Sequence, residues 1–163
     1  MDRDEPIGLL IGVVRRRIKQ AVGSHVRRYR LSTQQFWVLV AVHEQPGISL
    51  GEVAAHLRMD KPTASRIVFT LMNRKLLQVK GHATDRRRAC LHIGAASVPL
   101  IKELHGLASA VRGAVTRGLS PAELAVLRRG LRKIVDNMDR LQRGEQGQPA
   151  MRRLRPVVAT LRQ

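Results

Sequence analysis

The sequence predicts a mainly α chain with one small β-hairpin, on three observations. Apolar residues recur at steps of three and four over long windows, while aromatic residues make up only 2% of the chain. Three Ser-x-x-Glu/Gln tetrads mark helix starts. The apolar period switches to two only after Leu76, over two short runs.

The elements follow in order. Ile7, Ile11, Val14, Ile18, Ala21 and His25 lay an apolar stripe along a first helix whose other face carries Arg15, Arg16 and Arg17. Ser32 with Gln35, Ser49 with Glu52, and Ser120 with Glu123 match the capping box, in which side chains at both positions satisfy backbone N–H groups that the helix leaves unpaired. Gln45-Pro46-Gly47 ends the helix begun at Ser32. A fourth helix is expected from Asp60, a good cap, with Pro62 in its first turn, and should run to about Leu76. Only Arg58-Met59-Asp60 separates it from the third. That spacing lets Leu50, Val53, Ala54 and Leu57 meet Ala64, Ile67 and Leu71 as a helix-turn-helix.

Next, Leu77 and Val79 alternate with Gln78 and Lys80, and Ala89, Leu91 and Ile93 with Arg88, Cys90 and His92, which predicts two strands joined by a polar loop. This hairpin stands where a wing would stand. Two further long stripes follow, Ile101, Leu104, Ala108, Val111, Val115 and then Leu124, Leu127, Leu131, Ile134, Met138, Leu141. The expected fold class is therefore a winged helix-turn-helix with long N- and C-terminal helices. Its expected divisions are 1–30 (N-terminal helix), 31–94 (helix-turn-helix and hairpin), 95–143 (C-terminal helices) and 144–163 (a tail of unassigned role).

Thirty Lys and Arg against twelve Asp and Glu leave a formal charge of +18, which favours a polyanionic partner, nucleic acid first and an anionic membrane surface second. The longest apolar stretches, 7–14 and 36–42, fall short of the roughly 20 residues a membrane span needs. The acidic start, Met1 to Pro6, does not read as a secretory signal, so the cytoplasm is the expected location. A single cysteine, Cys90, excludes an intrachain disulfide and a cysteine-cluster zinc site, and the six histidines lack metal-ligand spacing. No nucleophile with a base, phosphate loop or carboxylate pair appears, so neither an enzyme nor a cofactor is expected.

The order of these parts (capped helix, Gln45-Pro46-Gly47, helix-turn-helix, then a hairpin whose loop reads Asp85-Arg86-Arg87-Arg88, with long helices on both sides) resembles the MarR winged-helix regulators. The resemblance implies that the first, fifth and sixth helices form a homodimer and that each subunit presents its lobe to double-stranded DNA; the stripes on those three helices read independently as exposed apolar seams. It implies a sequence-specific transcriptional regulator, a ligand-responsive repressor on a pseudo-palindromic operator, with a small-molecule effector of unknown identity. Lys61, Thr63, Ser65, Arg66, Thr70 and Asn73 of the fourth helix would then enter the major groove, Arg66 reaching guanine or phosphate with its fork. Ser49 and its helix N-terminus would offer donors to a phosphate. In the wing, Asp85 would pair with an arginine while Arg87 probes the minor groove between Arg86 and Arg88.

The chain departs from the family pattern at Lys75, where a glycine commonly closes the recognition helix, at Gly94-Ala95-Ala96-Ser97, and at Phe69, an apolar residue near the DNA face that either meets a thymine methyl or tucks inward. His25, Tyr29, Phe36 and Trp37 fall near the family's effector pocket but read as core, and Cys90 reads as an inert small residue. The alternative class is a sequence-nonspecific architectural nucleic-acid-binding protein, which would use the same charge without base readout.

Overall fold

A computed structural model describes residues 5–81 and 89–144. It contains α1 (Ile7–Val26), a 3-10 turn (Arg27–Tyr29), α2 (Thr33–Glu44), α3 (Leu50–His56), α4 (Lys61–Asn73), β1 (Leu77–Gly81), β2 (Ala89–Ile93), a second 3-10 turn (Ala95–Ser97), α5 (Val98–Thr116) and α6 (Pro121–Gln142). These fall into two compact units, 1–115 and 116–163.

All three capping boxes form. At α2 the Gln35 N–H donates to Ser32 Oγ at 3.1 Å, and the Ser32 N–H donates back to Gln35 Oε1 at 2.9 Å. Ser49 with Glu52 and Ser120 with Glu123 repeat this at α3 and α6. Bonds from the Ser120 hydroxyl and amide hold the Glu123 carboxyl below its ordinary range. Between α2 and α3, Gln45 to Ile48 form a tight turn: the Ile48 N–H donates to Gln45 O at 3.1 Å, with Pro46 second and Gly47 third at φ +88°. A type II turn requires that positive φ, which glycine adopts without a Cβ clash.

The core of the first unit is built around α2, which is apolar on every side and buries Phe36, Val38, Leu39, Val40, Ala41 and Val42. Against it pack Val53 of α3, Val68 and Leu71 of α4, Leu77 and Leu91 of the hairpin, and Ile101, Leu104 and Ala108 of α5. The hairpin is antiparallel, from Leu77 opposite Ile93 to Gly81 opposite Ala89. The outer edge of β2 is tied down as well, because Leu91 N–H donates to Ile48 O and Gly47 N–H to Leu91 O, both at 2.9 Å.

Three expectations need correction. In α1 the core takes Val22 and Val26, with Ile18 packed alongside, while Ile7, Ile11, Val14, Ala21 and His25 are exposed. Only the C-terminal end of α1 reaches the core, and there the buried face is offset by one residue. His25 places Nδ1 2.8 Å from the Ala21 carbonyl. The α5 stripe, expected as an exposed seam, instead buries Ile101, Leu104 and Ala108 in the chain's own core, and only Val115 at its end is exposed. Helix α4 stops at Asn73, short of Leu76, for the reason given below. In α6, by contrast, Leu127, Leu131 and Met138 are exposed and Leu124, Ile134 and Leu141 half-buried.

Where α2 meets α5, the Arg112 guanidinium forks onto the Glu44 carboxylate, with Nη2 3.0 Å from Oε2 and Nη1 on Oε1. His105 Nε2 lies 3.5 Å from the same carboxylate, and the His43 and His105 rings meet edge to face at 5.2 Å. The Arg112 hydrogen bonds hold the Glu44 carboxyl below its ordinary value of 4.5. A carboxyl lowered on folding contributes stability that is present above its unfolded value and lost as the pH falls through the folded one. Urea unfolding of Glu44→Gln against the wild type should therefore show a stability deficit at neutral pH that closes in acid below pH 4.5. An equal deficit at all pH values would remove the ionic account.

Candidate nucleic-acid interface

Asp60 caps α4 by accepting the Thr63 N–H at 2.8 Å, and this bond holds its carboxyl below the ordinary range. Pro62 occupies the first turn, where its missing N–H leaves no helix bond unmade. Ala64, Val68 and Leu71 then turn inward, leaving Lys61, Ser65, Arg66, Phe69, Thr70 and Asn73 exposed and Thr63 half-buried. Arg66 Nη2 donates to Thr63 Oγ1 at 3.3 Å, and Thr70 Oγ1 donates to the Arg66 carbonyl at 2.9 Å. The exposed face of α4 thus combines two cations, short hydroxyls, a carboxamide and a phenyl ring, with no acidic residue in the helix. Phe69 does not tuck inward.

The far end of α4 is closed by a residue in the left-handed region. Lys75 has φ +57°, its N–H donates to Met72 O at 2.8 Å, and the Leu76 N–H donates to Leu71 O at 2.9 Å. This is the Schellman pattern, and it ends the helix early enough for β1 to begin pairing at Leu77. The lysine keeps the left-handed cap without the glycine expected there, at a steric cost of about 1–2 kcal/mol. Arg30 (φ +53°) and Arg58 (φ +49°) close the segments before α2 and α4 in the same way.

Two tertiary features hold this end, and sequence reasoning missed both. Gly94 passes so close to Lys75 that a Cβ would lie 2.2 Å from the Lys75 carbonyl oxygen, which also accepts from Ser97 Oγ at 3.3 Å. Arg74 donates from Nη1 to Arg30 O and from Nη2 to Tyr29 O, both at 2.8 Å, so the end of α4 is fastened to the turn that follows α1. That turn is in turn held to α5, since Arg28 and the Tyr29 hydroxyl both donate to Glu103.

Ser49 is half-buried, its amide given to Glu52 Oε2 at 2.8 Å and its Oγ accepting the Glu52 N–H at 3.3 Å, so an approaching phosphate would meet a carboxylate there. Asp85, Arg86, Arg87 and Arg88 lie outside the described residues; the pair Gly81 and Ala89 closes the base of their loop. Cys90 is buried. No group of three metal-ligating side chains occurs among the described residues, and no helix there is long and apolar enough to cross a membrane.

Of the aromatic candidates, Phe36 is core, Trp37 meets it edge to face at 4.7 Å, and Tyr29 binds Glu103. A separate open cleft of about 560 Å³ runs between α1 and the start of α2, lined by Arg16, Lys19 and Arg27 with Gln20, Ser24 and Thr33.

Residues 31–88 match the MarR family model. The chain is 28% identical to Bordetella bronchiseptica BpsR, from a structure on the regulation of that protein's DNA binding by 6-hydroxynicotinic acid, with a TM-score of 0.64 over 81% of this chain and 94% of that one. The fold is shared with S. aureus MepR, solved in complex with DNA (18% identity, TM-score 0.68, 82% and 99% of the two chains). It is shared also with the transcription regulator MarR of Oenococcus oeni PSU-1 (16% identity, TM-score 0.75, 80% and 99%). The capped helix-turn-helix and β1 thus lie within the stretch that is similar to the MarR family model, and the fold around them is that of the solved structures above.

Proposed function

We propose that the chain is a sequence-specific, DNA-binding transcriptional regulator that acts as a homodimer on a pseudo-palindromic operator, as a ligand-responsive repressor. The observation that carries this is the division of α4: its inner face is fixed in the core, while its outer face presents Lys61, Ser65, Arg66, Thr70 and Asn73 to solvent. A helix held that way enters a major groove as a rigid reader, with side chains at base edges and the fold's cations at phosphates. Residues 1–30 and 95–143 serve dimerisation in this reading, and 31–94 serves DNA. Thr63 and Arg66 work as a hydrogen-bonded pair near the helix start, and Arg87, flanked by Arg86, Arg88 and Asp85, reaches the minor groove from the loop.

Selection of random duplexes on the purified protein at physiological salt tests the reading. A palindrome with half-sites about one helical turn apart supports it; enrichment by length or composition alone supports the architectural alternative. On the selected site, Arg66→Ala is expected to lose about 1–3 kcal/mol, a roughly fivefold to 150-fold drop in affinity, and to relax one base position. An Arg66→Ala protein that keeps full affinity and the same motif would remove Arg66 from the readout.

The effector part rests on the α1–α2 cleft, where Arg16, Lys19 and Arg27 suit a carboxylate. Titrating 6-hydroxynicotinate and related aromatic carboxylates into the protein–operator complex checks it: release of DNA supports the assignment, and unchanged binding across the series removes it.

A further inference from the structure

We infer that Phe69 is a specificity residue that reads the C5-methyl group of one thymine in each operator half-site, an inference that rests on the regulator reading above. The other large apolar residues of α4, Ile67, Val68, Leu71 and Met72, are buried or packed against the core, whereas Phe69 is 63% exposed. The chain has only two phenylalanines, and the other, Phe36, is fully buried.

Position sharpens this. At about 100° per residue, Pro62, Ser65 and Asn73 fall within about 40° of Phe69 around the helix, Arg66 at about 60°, and Lys61 and Thr70 at about 80–100° to either side. Phe69 therefore stands at the middle of the exposed arc, the line along which the helix would enter a groove deepest. Fixing a phenyl in water gives up the stabilisation its burial would bring, and a partner surface restores it only by offering an apolar spot at that point.

The surroundings decide which partner. The exposed arc that carries the ring also carries Lys61 and Arg66, hydroxyls and a carboxamide, with no acidic residue on the helix. A lone ring in such a setting fits a polyanion that carries one small apolar group among hydrogen-bonding edges, and not a broad apolar protein face. In the major groove the thymine methyl is that group, and phenylalanine is among the side chains that contact it.

The test replaces thymine by deoxyuridine, which pairs identically and lacks only the methyl. Each thymine of the selected operator is exchanged in turn, and wild-type and Phe69→Ala proteins are titrated against every duplex, with far-UV circular dichroism confirming that the variant is folded. The wild type is expected to lose about threefold to fivefold in affinity at one symmetric thymine position, the scale of one buried methyl. Phe69→Ala should bind the thymine duplex more weakly by a similar factor and be indifferent to the exchange at that position. If the wild type tolerates uracil everywhere, or if Phe69→Ala keeps the full thymine preference, the inference fails while the regulator reading stands. If the selection yields no operator, the regulator reading fails, and this inference with it.

Discussion

Gly94→Ala is expected to destabilise the fold by about 3 kcal/mol, the upper part of the range for forcing an extra methyl into a packed site. The added Cβ would stand 2.2 Å from the Lys75 carbonyl oxygen, and the obstacle is backbone, which cannot rotate aside as a side-chain tip can. Neither neighbouring segment is free to retreat. Lys75 is already in the left-handed region, its carbonyl accepts from Ser97, and the Gly94 N–H donates to Leu76 O at 3.0 Å. Gly94 itself has φ −64°, so the requirement is for space and not for glycine's conformational freedom. Urea unfolding measures the loss. Gly106→Ala in α5, where a Cβ meets nothing within 4 Å, should instead stabilise by about 0.5–1 kcal/mol through helix propensity. Equal effects at the two glycines would mean that the contact with Lys75 is not what constrains position 94.

For the proposed dimer, Leu131→Glu carries the largest expected effect on binding, a loss of about 10²–10⁴ in operator affinity as the protein becomes monomeric, because each lobe would then hold its half-site alone. Leu127, Leu131 and Met138 recur at steps of four and seven on one face of α6 and are exposed, as are Ile7, Ile11 and Val14 on α1. An exposed apolar stripe on a helix of this kind marks an association face. Sedimentation and operator titration of wild type and variant check both halves of the prediction, and Ile134→Glu should behave alike. A Leu131→Glu protein with the mass and affinity of the wild type would remove α6 from the proposed dimer.

The parts of this fold legible in the sequence are those decided within a few residues. Ser32, Ser49 and Ser120 announce their helices because the partner that completes each cap lies three positions on, and Asp60 and Pro62 do the same for α4. The hairpin declares itself by its change of period. What escaped reading is non-local. An amphipathic stripe says that one face is covered and not by what, so the α5 stripe alone does not tell an outward seam from the core in which Ile101 and Leu104 pack. Arg74 looks like any surface cation until Arg30 and Tyr29, more than forty positions away, are brought beneath it. Lys75 gave no glycine signal for a helix end, and the compensating glycine stands at 94, on the far strand's exit. At the candidate site, the polar face of α4 was legible from its spacing, but the outward direction of Phe69 required the core to be in place.

The placement of the acids has a consequence for the ions around the protein. Glu52, Asp60 and Glu123 sit at helix N-termini, and Glu44 and Glu103 are engaged by arginines, so much of the negative charge is tied to local structure while the cation excess faces solvent. Small anions must gather there to balance the charge. A nucleic acid docking on the proposed interface would release the cations condensed along its phosphates, together with such anions, into bulk solution, and the entropy of that release grows as the salt is diluted. Under the proposed function the drive toward DNA would thus be set in part by the medium, with ionic strength as much a determinant of occupancy as any side chain on α4.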